Sequence, residues 1–295
     1  MLIEISAYQW KTTSIKCFSS TITQSPRSLN YPHTSTGKSP TETNSNYLQK
    51  RIPRPPWTSK AQKGVQGIVG ALLYYAHAVD NELLVGLSDI GAQQASATQR
   101  KNEAIDQIFY YCATYPADGI LYCSSDMVLC AHSDAGFHNE SKGRSRAGAH
   151  IFLSKNDAMP RWNGPVLTLV KIIKFFMSSA SKAELGAMFI TAQEMVAMRQ
   201  TLQEMKWPQP KSPLQTDNFA AAGVVNNTIV PKKLKTMDRR LHWLRCREAQ
   251  GQFRYYWEIG NLNWGDYSTK HHPPLYHESR RTLFSGNPRK NIKSQ

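Results

Sequence analysis

The sequence predicts an α/β domain built on a mixed five-stranded sheet with flanking helices. Three features lead there. The apolar period changes from helical to strand-like near residue 119, the stretch from Ser178 to Met205 reads as one long helix, and short apolar runs alternate with helical ones after it. At ~100–200 residues per domain, 295 residues suffice for one large domain or two ordinary ones. With 40 % hydrophobic and 19 % charged residues, the chain is neither a charge-saturated disordered chain nor a coiled coil.

Residues 1–60 are rich in Ser, Thr, Asn and Pro without a sustained apolar period, which predicts a disordered leader. Over 61–118 the spacing predicts a small helical region. Val65, Ile68, Val69, Leu72, Leu73 and Ala76 repeat at helical intervals, Asp80 is placed to cap a second helix through Leu87, and Thr98 to open a third with Ile105, Ile108 and Phe109.

The main domain is expected over 119–277. Met127 to Asp134 is a short apolar run ending in a polar turn, Ala147 to Leu153 a second strand and Met159 to Trp162 a shorter third. In the long helix Leu185, Met188, Phe189, Ala192, Met195, Val196 and Leu202 form the buried stripe, and Pro208 and Pro210 end it. A strand over Leu214–Asp217, a short helix over Asn218–Val225, a longer one over Leu234–Glu248 and a strand over Phe253–Ile259 follow. A terminal helix and a basic disordered tail, 278–295, complete the prediction. Hairpins among the first strands and crossovers thereafter make the sheet mixed.

The apolar stretch from Pro165 to Met177 carries Lys171 and Lys174 and falls short of the ~20 residues a membrane span needs, so no membrane partner is expected. Glu4 stands where a signal peptide has positive charge. Cys17, Cys112, Cys123, Cys130 and Cys246 are odd in number and lack zinc-site spacing, which predicts reduced thiols filling core positions. Among the aromatics, Phe253, Tyr255 and Trp257 read as one core face of a strand. His242 reads as a packed or surface histidine, and His271-His272 as a solvated turn.

Four acids fall at the ends of these elements: Asp134, Glu184, Asp217 and Asp266. Each has an ordinary structural explanation, because Ser181-Lys-Ala-Glu184 forms a capping-box pattern, Asp217 can cap the next helix, and Asp134 and Asp266 lie in turn-like contexts. Converging carboxylates, by contrast, repel one another and persist mainly where divalent cations neutralise them. Two Mg²⁺ ions roughly 3.5–4 Å apart, with Mn²⁺ as a substitute, would then serve phosphodiester hydrolysis.

Spaced motifs carry a family resemblance at these same residues. SDAGF (133–137) resembles the Ser-Asp-Ala-Asp-Trp strand end of copia-type LTR-retrotransposon Pol polyproteins, and GRSRAGAHIFL (143–153) resembles their Arg-Lys-Ser-Thr-Ser-Gly stretch. SSASKAEL (178–185) resembles Ser-Ser-Thr-Glu-Ala-Glu-Tyr, and TDNFAA (216–221) resembles Asp-Asn-Gln-Ser-Ala. KLKTMDRRLHWLR (233–245) resembles Thr-Lys-His-Ile-Asp-x-Arg-x-His-Phe-Ile-Arg, and GDYSTK (265–270) resembles Ala-Asp-x-x-Thr-Lys. Upstream, residues 69–90 resemble the closing segment of the reverse transcriptase.

The resemblance implies a reverse transcriptase tail followed by an RNase H-like fold. In that fold Asp134, Glu184, Asp217 and Asp266 would bind metal and cut the RNA strand of an RNA–DNA hybrid. The remainder of a Pol polyprotein is the other implied partner, and a cytoplasmic retrotransposon particle the implied location, with the nucleus as the alternative. The chain departs from the family at Gly136-Phe137 and Thr236-Met237, and Ile259 to Gly265 lacks the loop histidine of cellular ribonucleases H. It also lacks the polymerase's Tyr-x-Asp-Asp. The competing expectation is a catalytically inactive RNase H-like module that binds nucleic acid, or the relic of a decayed element.

The charge distribution bears on both expectations. The net charge is +15, with +6 in residues 1–60, +6 in 206–250, +5 in 267–295 and −2 in the remainder. Leu234, Met237, Leu241 and Leu244 share one face of the predicted helix, Lys235 and Arg239 project from the other, and Arg247 lies at its edge. Lys235, Arg239 and Arg247 are therefore the candidate phosphate contacts.

Overall fold

The computed structural model describes residues 59–92, 99–116, 118–230 and 238–286. The leader, residues 1–58, and the last nine residues of the expected basic tail lie outside the described residues, as do Cys17, Thr98, Leu234, Lys235 and Met237.

The switch of period near residue 119 separates two groups of elements. Before it come α1 (Ser59–Ala78), a 3₁₀ turn (Asn81–Leu83), α2 (Leu84–Ala92) and α3 (Gln99–Thr114). Val65 and Val69 of α1 bury against Ile90 and Ile105, the apolar spacing that predicted these helices. Asp80 occupies the cap position of the 3₁₀ turn but makes no side-chain cap bond, so the 80s open as a tight turn rather than a capped helix.

After the switch come β1 (Gly119–Ile120), β2 (Val128–Glu140), β3 (Arg144–Ser154), β4 (Pro165–Ile172), α4 (Ala180–Glu204), β5 (Ser212–Thr216), α5 (Phe219–Val225), α6 (Asp238–Ala249), β6 (Phe253–Trp257), a 3₁₀ turn (Asp266–Ser268), α7 (Pro274–Phe284) and β7 (Ser285–Gly286). The main sheet runs β4-β3-β2-β5-β6. β2, β3 and β4 pair antiparallel, whereas β5 joins β2 and β6 joins β5 in parallel. This is the mixed five-stranded RNase H-like sheet expected of the chain. A short turn joins β2 to β3 and a longer loop, residues 155–164, joins β3 to β4, while α4, α5 and α6 supply the crossovers that parallel strands require.

Three elements differ from their expectation. The third strand is Pro165–Ile172, not Met159–Trp162. Met159 and Trp162 are exposed, and Pro165, lacking an N–H, starts an edge strand where no donor is needed. β2 continues six residues beyond Asp134, because its hairpin with β3 runs on through Asp134↔Gly148 and Gly136↔Arg146. The segment after residue 278 is helical through Phe284, with Arg281 buried and paired to Asp118 and Glu82.

One sheet face packs on α4. Alanines at 147, 149, 183, 187 and 192 let helix and sheet approach closely around Leu129, Ile151, Met188, Met195, Leu214 and Phe253, all buried. Ser179 caps α4 by accepting from the Lys182 N–H. At the other end buried Arg199 donates to the carbonyls of Gln209 and Pro210 and to Ser212 Oγ, tying the helix to the start of β5.

The early helices dock on the sheet through polar groups. Asn81 Nδ2 donates to Thr168 Oγ1 on β4 at 2.8 Å. Arg146 on β3, 2 % exposed, pairs with both Asp89 of α2 and Glu140 of β2. Removing one partner of a buried ion pair leaves uncompensated charge and costs ~3–5 kcal/mol. Arg146→Ala is therefore expected to destabilise the chain by about that amount, read as a lowered urea midpoint.

Candidate metal centre

Asp134 sits mid-strand in β2, Glu184 near the start of α4 as its fifth residue, and Asp217 just beyond β5. β2 and β5 are parallel neighbours, so their carboxylates emerge at the same end of the sheet, and α4 brings Glu184 over them. Each of the three offers a carboxylate oxygen, and these oxygens all lie within 4.8 Å of one another. Asp266 is not part of that group. It lies near enough to push the acidity of Asp134 and Asp217, and its Oδ1 pairs with Lys270 Nζ at 2.5 Å.

The bland explanations of the acids give way here. Ser179, not Ser181, caps α4, and Glu184 turns away from the helix end to accept the Ala135 N–H through Oε1 at 3.2 Å and the Thr216 hydroxyl through Oε2 at 3.4 Å. Asn218, not Asp217, caps α5. Asp134 Oδ2 accepts the Thr269 hydroxyl at 2.6 Å.

Thr269 escaped the sequence reading although it stands in the GDYSTK motif. Its position depends on a close approach between the 265–269 segment and the sheet. A Cβ on Gly148 would fall 2.6 Å from Thr269 Cγ2 and 2.7 Å from the Gly265 carbonyl, and one on Gly265 would fall 2.8 Å from the Asp134 N. Only glycine fits at both positions. Asn139 adds a hydrogen bond from Nδ2 to the Thr269 carbonyl at 2.6 Å.

Burial raises the proton affinity of all three acids, and their mutual repulsion adds to it. Asp134 moves up to about 6, with the Thr269 hydrogen bond working against the shift. Glu184 is pushed well above the usual carboxylate range by burial and then by Asp134 and Asp217, and Asp217 rises through burial and the field of Asp266. Lys270 is raised: burial disfavours its charge, but the bond to Asp266 and the fields of Asp266 and Asp134 outweigh it. Three oxygen donors that repel one another, fixed by neutral hydrogen-bond donors, suit a hard divalent cation.

The basic helix face is only partly free. Arg239 is exposed, but Arg247 lies over Trp243 and donates to Gln252 Oε1 at 3.2 Å. Arg240 stacks on Phe175, and Arg245 donates to the Val224 carbonyl. Leu241 and Leu244 are buried, as their face predicted. Phe253 and Tyr255 are core residues, whereas Trp257 is 43 % exposed and donates from Nε1 to the Asp217 carbonyl. Of the described cysteines only Cys130 is buried, while Cys123 and Cys246 are exposed. His271 is not simply solvated, since Nε2 pairs with Asp89. Among the described residues no helix is long and apolar enough to cross a membrane.

Sheet order, crossovers and a carboxylate cluster at the parallel strand ends define a domain of RNase H-like fold. The resemblance read in the motifs is met by a partial match: the chain is similar to the retrovirus-related Pol polyprotein from transposon TNT 1-94 of Nicotiana tabacum. That match is 23 % identical over 177 residues, 60 % of this chain, and the chain spans 13 % of that relative's length. No family model matches. Among solved structures, an RNase H1 isolated from compost by a metagenomic approach matches at 11 % identity with a TM-score of 0.38, over 48 % of this chain and 93 % of that one. A foamy viral protease–reverse transcriptase in complex with double-stranded DNA matches at 10 % identity with a TM-score of 0.39, over 69 % of this chain and 42 % of that one.

Two outcomes follow from the geometry. An unfolded aspartate ionises near 3.9, so between pH ~4 and ~6 the folded chain holds a proton on Asp134 that the unfolded chain releases, and metal-free stability declines as pH rises through that window. The buried histidines His132 and His150, lowered to about 3 and about 4 mainly by burial, act in the opposite direction, so the effect is read as a difference between proteins. Asp134→Asn is expected to gain on the wild type across this window, by on the order of 3 kcal/mol at pH 7, in urea titrations with EDTA, and to lose that advantage in excess Mg²⁺. Gly148→Ala is expected to push Thr269 away from Asp134 and to weaken Mn²⁺ binding in calorimetric titration by ~10-fold or more.

Proposed function

We propose that the chain is a divalent-metal-dependent endonuclease that cuts the RNA strand of RNA–DNA hybrids, and that it derives from a retrotransposon Pol polyprotein of the copia type. The convergence of Asp134, Glu184 and Asp217 on one small volume carries this reading. In it, residues 119–277 are the nuclease, 61–118 the tail of the reverse transcriptase, and the remainder of the Pol polyprotein a partner in a cytoplasmic particle.

Asp134, Glu184 and Asp217 would hold Mg²⁺, with Asp266 as the fourth carboxylate at the same mouth. When bound, two such ions supply activation of the attacking water and stabilisation of the leaving oxygen. The chain's own groups do the positioning. Thr269 and Thr216 fix Asp134 and Glu184 by hydroxyl donation, and the Ala135 N–H holds Glu184 Oε1, so the oxygens keep their places against repulsion. Lys270 sets a positive charge beside the acids where a scissile phosphate would arrive. Arg239, with Lys235 and Arg247, would take the hybrid's phosphates. An A-like duplex is recognised through backbone, shape and 2′-hydroxyls, so little base preference is expected.

The purified full chain with Mg²⁺ is expected to cut a labelled RNA–DNA hybrid and not duplex DNA, and both EDTA and Asp134→Asn to remove the cut. A folded wild-type chain that binds hybrid with a steep salt dependence yet never cuts it would overturn the enzymatic reading in favour of an inactive binding module.

A further inference from the structure

Tyr267, Ser268 and Thr269 are buried, but beyond them the chain leaves the sheet, and Lys270 and His271 are exposed. Lys270, His271 and His272 line a cavity of about 840 Å³ that also has Glu82, Asp89 and Glu103 in its wall. Residues 270–272 therefore do not rest on a packed core. One strong polar contact crosses from them to the early helices here: His271 Nε2 donates to Asp89 Oδ2. The other oxygen of Asp89 is taken by Arg146 Nη2, the nitrogen that also pairs with Glu140. Asp89 is thus anchored to β3 by one oxygen and grips the 265–272 segment with the other.

We infer that Asp89, on a helix that contributes no carboxylate to the acidic cluster, is a positioning residue for it, acting through His271 on the segment that carries Asp266, Thr269 and Lys270. This rests on the metal-dependent reading of the cluster. The chain of contacts is short. His271 is two residues from Thr269, whose hydroxyl holds Asp134, and one from Lys270, which pairs with Asp266. Freeing His271 leaves exposed Lys270 without a fixed neighbour on its C-terminal side and so loosens its pairing with Asp266, and through it the Thr269 contact one residue earlier. The electrostatics agree. His271 is raised, first by its bond to Asp89, and Asp89 is lowered: burial opposes its charge, but the His271 and Arg146 contacts outweigh it. On this reading the reverse transcriptase tail is a working part of the nuclease rather than a passenger.

The test uses the full chain and three variants: His271→Ala, His271→Gln and Asp89→Ala. The His271 side chain is 68 % exposed, so its removal leaves the urea midpoint near the wild-type value. His271→Ala is expected to speed amide exchange across 265–272 in the metal-free protein and to weaken Mn²⁺ binding on the order of 10-fold, the usual cost of losing an outer-shell partner. It should lower kcat on a hybrid while leaving KM unchanged. His271→Gln keeps an N–H donor and is expected to restore all three. In an Asp89→Ala background His271→Ala should add nothing, the signature of a coupled pair. Unchanged exchange and Mn²⁺ affinity in His271→Ala would overturn the inference, as would full additivity with Asp89→Ala. A wild-type chain that binds no Mn²⁺ would sink the metal reading, and with it the claim that Asp89 serves a metal site.

Discussion

The close placement of three carboxylates, two of them buried and the third half-buried, is the constraint on which the rest of this structure depends. Like charges this near one another in a poorly solvated site drive each other toward the protonated form. A fold that only tolerated them would let the side chains swing outward. Here each is restrained: Asp134 by the Thr269 hydroxyl, Glu184 by a backbone N–H and the Thr216 hydroxyl, and Asp217 by its place between β5 and the Asn218 cap of α5. The restraints are neutral donors, which fix geometry without cancelling the negative field. Lys270, the charged neighbour, is spent on Asp266 at the mouth. The cluster is left short of positive charge, a donor set that suits a hard divalent cation.

The sheet topology explains why these residues meet. β2 is the strand at which pairing changes from antiparallel, toward β3, to parallel, toward β5. Open α/β sheets place their clefts where the strand order reverses, because the connections leaving neighbouring strands there diverge. Asp134 and Asp217 flank that opening and α4 crosses it with Glu184 near its start. The 265–269 segment closes the other side only because Gly148 and Gly265 allow backbone to lie on backbone.

What was legible in the sequence follows the range of the interactions involved. α4 and the core strands β2, β3, β5 and β6 are announced by local period, which selects Leu185, Met188, Ala192, Met195, Phe253 and Tyr255 correctly, although Phe189, Val196 and Leu202 are only partly buried and Trp257 is exposed. Asp134, Glu184 and Asp217 could be named because each stands inside a recognisable motif at the edge of an apolar run, even though β2 continues past Asp134. β4 was missed because an edge strand with exposed alternate residues and a leading proline has a weak local signal, and β2's extension because it is dictated by its partner across the hairpin. Glu184 is ambiguous in the sequence, since Ser181 and Glu184 have capping-box spacing. The tertiary bonds to Ala135 and Thr216 decide between cap and site, and those lie 49 and 32 residues away in the chain. Thr269 had a place in the GDYSTK motif but no sign of its role, and Asp89 had neither, because what they do is defined by residues 135 and 182 positions distant.

The junction between the early helices and the sheet shows the same preference for specific polar contact over generic burial. An apolar interface would bury more and would also accept many orientations. Arg146 between Asp89 and Glu140, Asn81 on Thr168, and Arg281 between Asp118 and Glu82 each accept few. Buried ion pairs add little net stability over apolar residues of the same size, because desolvation offsets attraction, but breaking one is costly, and in some proteins they define a single arrangement. A site whose oxygens must keep their spacing against mutual repulsion needs such definition more than it needs extra stability. A helical region held this way sets the position of the last acidic segment to within a hydrogen bond, which a greasy contact between the same elements could not do.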